Sequence, residues 1–353
     1  MNIVEMMVAI VIWLLASLAI MSSATFFDSN RRGLTGENSV QENAMFALTD
    51  IQRNVKNAGA GIAASNNVTC TSMNVTFNGT VLANGTGVAP VIIADGGANN
   101  VSDSITVLSA TSTLAASPVL TRDTMTSATA AINLKTAKDL SVGDVYLISP
   151  GTPATASTGT LCSVGSITAL TTNSLGATIN HDSTGTGSTW NGGTYTTAQA
   201  YAANSTLAKI GGLNWITYQV GSQTLNLVDK IAQTTNSLAE NVVLMKAQYG
   251  VSATSSSTVT SWVAGSGSWA TPLNAGQISQ IRAIRIAMVV RIPAQIKPSV
   301  AGGTCDATTA SPTVWGGTQT MDISGLTNWK CYKYRTLNMT IPLKNFIFSG
   351  TST

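Results

Sequence analysis

Charge is scarce in this sequence. Only 9% of its 353 residues are Asp, Glu, Lys or Arg, and the formal net charge is +3. Such a chain lacks the broad basic field that holds nucleic acid. The composition therefore argues against a nucleic-acid-binding protein and favours protein partners.

The side chains and motifs of common catalytic sites are also missing. His181 is the single histidine and lies in the loop-like stretch NHDSTGTG, so any Ser-His or Cys-His pair would depend on that one residue. No H-E-x-x-H, G-x-x-x-x-G-K-[ST], G-x-S-x-G or C-x-x-C-H motif occurs. Asp95 and Asp103 could supply oxygen ligands to calcium, but turn formation is the commoner use of such residues. We expect no enzyme activity, no cofactor and no metal site.

Basic residues are absent from the first 30 positions, and Glu5 is the single charged side chain of the first 27. The 22 residues Met6 to Phe27 carry no charge and would form a helix of roughly 33 Å, enough to cross a bilayer. A cleavable signal peptide would begin with a basic region. We therefore expect a transmembrane helix that the mature protein keeps.

Glu5 is the unusual residue of this segment. An ionisable side chain inside a membrane helix is costly, and it usually has a partner and a function. The alternative is that the carboxylate reaches an interface near the chain end by extending its side chain.

The four cysteines form an even set without a C-x-x-C pair. Behind a membrane helix, this indicates export and two disulfides, although the sequence does not determine their pairing. The short interval favours Cys305 with Cys331, which leaves Cys70 with Cys162. Four free thiols remain the alternative.

An amphipathic helix is predicted to follow the apolar run. Its apolar stripe recurs at spacings of four and three, and its members are Ala44, Leu48, Ile51, Val55 and Ala58. The other face carries Glu42, Asp50, Arg53 and Lys56, and the stretch NAGAG from Asn57 is a stop signal. Gly33 and Gly36 each cost about 1 kcal/mol relative to Ala in a helix. We expect a bend or a melted stretch there, with a possible break near residues 33–38 and SVQE from Ser39 as a capping box for a restart.

From Cys70 onward, short apolar periods bounded by turn residues predict β-structure. DSITVLS, GDVYLIS, NVVLMKAQYGV, RIAMVVRI and YRTLNMTIPL are predicted strands. Ile286, Met288, Val290 and Ile292 share one strand face, and Leu337, Met339, Ile341 and Leu343 point inward from another, where Pro342 indicates an edge. NWITYQV and QTLNLVDKI form a hairpin whose two-residue turn is predicted at Gly221 and Ser222. Ser/Thr/Gly-rich stretches near 151–160, 181–200 and 252–270 are expected to be surface loops.

Several Asn-x-Ser/Thr sequons are candidate glycosylation sites, although chance accounts for many in a chain this rich in Asn, Ser and Thr. They are Asn67, Asn74, Asn78, Asn84, Asn100, Asn204 and Asn338.

Glu at position 5, about twenty apolar residues and a continuing amphipathic helix resemble the type IV pilin superfamily. QENAMFALTDIQRNVKNAG resembles the Q-E-N-x-R-F-A-L…R-x-x-R-x-A-G segment of PilW-type pilins, with Met45 at a position that is often basic there. SDSITV, VGDVYLIS, LAENVVLMKAQYGV, IRAIRIAMVVRI and YRTLNMTIPLKN extend the resemblance in patches over the whole chain. Two departures are the absence of a Pro near residue 22 and of a basic leader ending in Gly.

The resemblance implies an α+β pilin fold, in which a long helix packs on a mainly antiparallel β domain. Residues 1–27 would be the transmembrane and filament-core helix, 28–60 its amphipathic continuation, and 61–353 the extracellular β domain. It also implies that numbering starts at a processed Met1, N-methylated by the prepilin peptidase. The expected partners are copies of the same chain in a helical filament, the inner membrane before assembly, and the pilus assembly machinery.

The expected function is a structural subunit of an extracellular type IV pilus. Three alternatives remain open: a low-abundance minor pilin that primes assembly, a pseudopilin of a type II secretion machine, and a membrane-anchored adhesin.

Overall fold

The computed structural model describes residues 3–62, 70–112, 118–151, 160–252, 258–296, 298 and 303–347. For residues 3–5, 25–35, 346 and 347 it describes the backbone without the side chain.

A single long helix, α1, spans Ile3–Lys56 and contains 54 residues. Residues 33–38 are helical, so the predicted break is not observed, and SVQE from Ser39 lies within the helix instead of starting one. Each glycine costs only about 1 kcal/mol in a helix. Helix formation is cooperative, so the flanking helical residues outweigh this penalty. Two short helices follow later in the chain, α2 (Ala275–Gln280) and α3 (Lys344–Ile347).

The predicted stop signal ends α1. Gly59 and Gly61 have φ angles of 75° and 70°, in the left-handed region that suits glycine after a helix. A Cβ at residue 61 would come within 2.6 Å of the Ala110 Cβ, so the chain passes close to a strand at this point. The Gly59 N–H donates to the Leu108 carbonyl at 2.8 Å, which attaches the helix end to the β domain.

The β domain is made of many short strands, as the turn-bounded apolar periods predict. In chain order they are β1 (Ser72–Phe77), β2 (Thr80–Gly87), β3 (Val91–Ala94), β4 (Ser104–Ala110), β5 (Val119–Leu120), β6 (Ile132–Leu134), β7 (Val145–Ser149), β8 (Leu161–Ser166), β9 (Ala169–Asn173), β10 (Gly176–Asn180), β11 (Thr206–Lys209), β12 (Leu213–Gly221), β13 (Thr224–Asp229), β14 (Thr234–Glu240), β15 (Val242–Val251), β16 (Ser261–Val263), β17 (Ile281–Arg291), β18 (Thr313–Val314), β19 (Gln319–Thr320) and β20 (Tyr334–Pro342).

The strands form mainly antiparallel sheets. A six-stranded sheet has the order β2-β1-β8-β7-β11-β5, with β1 and β8 parallel, and a three-stranded sheet has the order β6-β10-β9. A five-stranded sheet (β14-β13-β12-β4-β3) and a four-stranded sheet (β16-β15-β17-β20) complete the body, and β18 pairs with β19. The structure is the α+β architecture expected from the sequence, a long helix packed on mainly antiparallel sheets.

The main core lies where the second half of α1 meets the five-stranded and four-stranded sheets. All five members of the predicted stripe are 0% exposed in this core: Ala44, Leu48, Ile51, Val55 and Ala58. The stripe is therefore the surface by which the helix is attached to the body.

Strand β17 differs from a half-buried strand because it is covered on both faces. Ile286, Met288 and Val290 face the helix-side core as predicted, while Ala287 and Val289 pack on the other side under residues 314–326. Strand β20 is at the edge of its sheet, the position that Pro342 predicts for this strand.

The hairpin of β12 and β13 is present, but its turn is one residue later than predicted. Gly221 pairs with Thr224, and the two loop residues are Ser222 and Gln223, with φ angles of 51° and 62°. The pairing of β12 with β4 fixes this register, since a slip of one residue would turn Tyr218 away from the core.

Candidate assembly site

The first half of α1 projects from the body with its apolar side chains uncovered. Met6–Ala24 is long and apolar enough to cross a membrane, with mean hydropathy 2.3, and none of this segment is buried within the subunit. Trp13 is 71% exposed. Nineteen residues without a contact to their own body present a continuous apolar surface, the type of surface that a bilayer or neighbouring helices can cover.

The two residues predicted to set the position of neighbouring subunits are not placed by the structure. Met1 lies outside the described residues, and Glu5 is described only as a helical backbone position. Their pairing therefore stays a prediction.

Burial of the helix on its own body begins at Val40, which is 6% exposed. A polar contact reinforces this interface on one side: the Tyr218 hydroxyl donates to an Asp50 carboxylate oxygen at 2.7 Å, and the Asn54 amide donates to the Tyr218 oxygen at 2.8 Å. Burial and the adjacent carboxylate both raise the pKa of Tyr218, so its hydroxyl keeps the proton that it donates.

Two further contacts hold the helix at either end of its buried section. Arg335 of β20 forms an ion pair with Glu37, and the Asn345 amide donates to the Ala58 carbonyl at 2.9 Å. A free carbonyl at the end of a helix needs such a donor. No local pattern indicates these pairs, because their members are almost 300 positions apart.

The outer surface of the attached section is not uniformly polar. Phe46 is 68% exposed and Met45 is 43% exposed, between turns whose inward residues are fully buried. Met45 occupies a position that is often basic in the family pattern, and no sequence pattern indicated that Phe46 would be exposed.

The structure joins Cys70 to Cys162 and Cys305 to Cys331, the pairs that were favoured from the sequence. Cys70–Cys162 links the start of β1 to its parallel neighbour β8, while Cys305–Cys331 ties down the segment that follows β17.

The candidate glycosylation sites differ in accessibility. Asn74 is 0% exposed; its amide donates to the Thr197 carbonyl, and its side-chain oxygen accepts from the Gly85 N–H. The folded domain therefore does not present Asn74 to a glycosyltransferase, which corrects the prediction for that residue. Asn67 lies outside the described residues, whereas the other five are exposed: Asn78, Asn84, Asn100, Asn204 and Asn338.

Asp95 and Asp103, the two candidate calcium ligands, form ion pairs with a lysine. Lys246 of β15 is 4% exposed, and its ammonium lies 2.8 Å from Asp103 Oδ1 and 3.5 Å from Asp95 Oδ1. Asp103 also accepts from the Gly96 and Ala247 N–H groups. Burial raises the pKa of Asp103 against the lowering effects of the lysine and these donors. The arrangement is a buried ion pair that joins β4 to β15.

In the part of the chain that the structure describes, the hydrogen-bond partner of His181 is a backbone carbonyl and not a Ser or Cys side chain. Its Nε2 lies 2.8 Å from the Ala130 carbonyl, and a carbonyl can only accept, so Nε2 carries the proton. The residue lines a cavity between the six-stranded and three-stranded sheets, in a stretch that was predicted only as a loop.

The family model PilW, type IV pilus-assembly protein W, matches residues 215–345. This segment contains the four-stranded sheet and part of the five-stranded sheet, which together receive α1. Among solved structures, a type IV-like pilin from Thermus thermophilus matches with 12% identity and a TM-score of 0.21, over 39% of this chain and 70% of that one. The curated proteins contain no match. The resemblance to PilW-type pilins is thereby confirmed over residues 215–345, the segment that contains strands of both sheets on which α1 packs.

Proposed function

We propose that this chain is a structural, non-enzymatic subunit of an extracellular type IV pilus and polymerises with copies of itself through the first half of α1. The contrast along the helix carries the proposal. None of Met6–Ala24 is buried within the subunit, whereas the stripe from Val40 to Ala58 is covered by the subunit's own sheets. In a filament, neighbouring helices cover the first section.

The same helix holds the subunit in the inner membrane before assembly. In this proposal residues 1–27 exchange lipid for neighbouring helices in the filament core, residues 28–60 carry the body, and residues 61–353 form the outer domain. The prepilin peptidase leaves a methylated amine on Met1, and the assembly machinery extracts the subunit from the membrane.

Glu5 gives this packing its axial position. Apolar helix surfaces attract each other without direction, so a shift of one turn still leaves apolar against apolar. A carboxylate that neutralises the Met1 amine of a neighbouring subunit favours one position, because each charge is costly when left alone in an apolar core. A lone polar residue fixes register in coiled coils by the same principle.

The experiment is to count Glu5→Ala and Glu5→Gln subunits in fibres sheared from cells, relative to subunits in the membrane fraction. We expect both variants to be strongly reduced in fibres, with normal membrane levels and a folded β domain. Ser17→Ala is a matched control within the same apolar section, because the Ser17 hydroxyl donates only to the Leu14 carbonyl of its own helix. Wild-type amounts of Glu5→Ala in fibres would show that the register is set elsewhere.

A second candidate is a low-abundance pilin that primes assembly. The family description, a pilus-assembly protein, favours it. The two candidates differ in stoichiometry. Quantitative mass spectrometry of purified fibres should find this chain as the most abundant subunit if it builds the shaft, and at a few copies per fibre if it primes assembly.

A further inference from the structure

The body contains a cavity of about 290 Å³, close to the lower end of the volumes of small-molecule sites. It lies between the six-stranded sheet, the three-stranded sheet and residues 181–201. Every residue that lines it precedes residue 202, so it lies outside the segment 215–345 that matches the pilin family. The cavity is a feature of the part of the chain that the family match does not cover.

One wall of the cavity presents a tyrosine hydroxyl that has no partner among the described residues. Tyr146 of β7 is 2% exposed, and its hydroxyl makes no hydrogen bond to any described residue. Burial raises the pKa of Tyr146, so the group keeps its proton at neutral pH and can donate as well as accept.

Gly165 of β8 provides the space beside this hydroxyl. A Cβ at residue 165 would come within 2.6 Å of the Tyr146 hydroxyl oxygen. That distance is too short for a methyl group. Any other residue at position 165 would therefore displace the Tyr146 ring or occupy part of the cavity.

Most other polar groups in the wall are already paired within the protein. The Tyr201 hydroxyl donates to Ser163 Oγ at 2.8 Å, Tyr195 pairs with Thr76 at 2.6 Å, and the Asn191 amide bonds to Ser166. These bonds fix the aromatic rings and leave a small set of groups for a ligand.

The groups left for a ligand are neutral. They are the Tyr146 and Ser183 hydroxyls and the Gln199 amide, which make no hydrogen bond among the described residues, and His181 Nδ1, which is an acceptor in the neutral imidazole. The described lining contains no Lys or Arg, and its charged member is Asp182. This set does not suit an anion, and a purely apolar ligand would leave Tyr146 unpaired.

We propose that this cavity binds a single neutral sugar ring. The hydroxyls of such a ring pair with neutral donors and acceptors, and its C–H faces pack against aromatic rings, here Trp190 and Tyr195. The ring can come from a free monosaccharide or from the terminal residue of a glycan. The proposal does not depend on whether the chain builds filaments.

The test uses the full chain in a sugar-free detergent such as lauryldimethylamine oxide. Ligand-observed NMR would measure binding of glucose, galactose, mannose and N-acetylglucosamine, with N-acetylneuraminic acid as an anionic comparison. Oligosaccharides that end in the best of these sugars form a second arm. Tighter binding of the oligosaccharide identifies a glycan terminus as the source, and equal binding identifies the free sugar.

Tyr146→Phe removes the hydroxyl and keeps the ring. We expect binding about tenfold weaker, the loss of roughly one hydrogen bond, together with an unchanged unfolding midpoint because the packed ring is kept. Tyr334→Phe is the matched control, since its hydroxyl has no partner among the described residues and lies outside the cavity, and its binding should equal that of the wild type. Absence of binding by all four neutral sugars at millimolar concentration, or equal binding by wild type and Tyr146→Phe, would overturn the proposal.

Discussion

At the scale of single residues, the buried Lys246 shows how this chain uses its few charges. The ammonium has two carboxylates within 3.5 Å, and one of them, Asp103, is itself 3% exposed. Desolvation makes such a pair a weak source of net stability, but removing one partner leaves an unpaired buried charge. The pair therefore matters more when it is broken than when it is formed.

We expect Lys246→Met to lower the free energy of unfolding by about 3–5 kcal/mol, because Asp103 is left without its counter-ion. Urea denaturation of the full chain, followed by tryptophan fluorescence, measures the loss. Arg53→Ala is the control: Arg53 pairs with Asp50 while its side chain is 75% exposed, so its loss should cost less than 1 kcal/mol. A combined Lys246→Met and Asp103→Asn variant removes the unpaired charge and keeps an oxygen that can accept from one of the two backbone N–H groups that donate to Asp103. It should therefore recover part of the stability, and equal losses for the single and combined variants would contradict this account.

Sequence alone predicted the strand that contains Lys246 but not its role. NVVLMKAQYGV becomes β15 almost as predicted, because branched and aromatic residues favour strands. The partner Asp103 is 143 positions earlier, and no local pattern indicates which distant carboxylate a lysine will contact. Tyr146 was missed for the same reason, since its unpaired hydroxyl depends on packing between two sheets.

At the scale of elements, α1 combines two surfaces with different tasks. Leu48 is 0% exposed against the sheets, and Phe46, two positions earlier, is 68% exposed. A large apolar side chain on the outside of a monomer often marks a contact with another molecule. The proposed filament would cover Phe46 with a neighbouring subunit.

These two positions make a matched pair of variants. Leu48→Ala should lower the free energy of unfolding by about 2–5 kcal/mol, the cost of a cavity in a packed core. Phe46→Ala should change it by less than about 0.5 kcal/mol yet reduce the amount of the chain in sheared fibres. Denaturation curves and fibre yields of both variants would decide the matter; a normal yield for Phe46→Ala would show that this side chain lies outside the subunit contacts.

Prediction from the sequence was accurate for elements in which a single apolar face is buried. All five residues that the period of the α1 stripe identified are buried, because a helix on a flat surface buries every third or fourth residue, and Val40 and Ala47 are buried beside them. The turn of β12 and β13 was misplaced because Gly221 is a strong local turn signal, whereas pairing with β4 sets the actual register. The break at Gly33 and Gly36 was wrong because two weak local penalties do not determine the state of a 54-residue helix.

At the scale of the whole molecule, the two disulfides close loops of very different length. Cys70 and Cys162 are 92 residues apart, and Cys305 and Cys331 are 26 apart. The chain-entropy model assigns about 4.6 kcal/mol to the longer loop and about 3.5 kcal/mol to the shorter one. The first bridge also holds together β1 and β8, the parallel pair in the six-stranded sheet.

We therefore expect the Cys70→Ala/Cys162→Ala variant to be less stable than the Cys305→Ala/Cys331→Ala variant by about 1 kcal/mol, from the loop lengths alone. Urea denaturation of the two variants and the wild type gives the order. The reverse order would mean that the segment after β17 depends on its bridge for more than loop closure.

The unbroken course of α1 makes the subunit a lever. Ala24 ends the membrane-length segment and Val40 is the first side chain that the body buries, and the helix between them is about 24 Å long at 1.5 Å per residue. A stiff arm of that length converts any sideways push on the body into a tilt of the apolar section. In the proposed fibre, a force between neighbouring bodies would therefore produce a torque on the helices in the core. The bending stiffness of the fibre would then depend on how tightly the bodies pack.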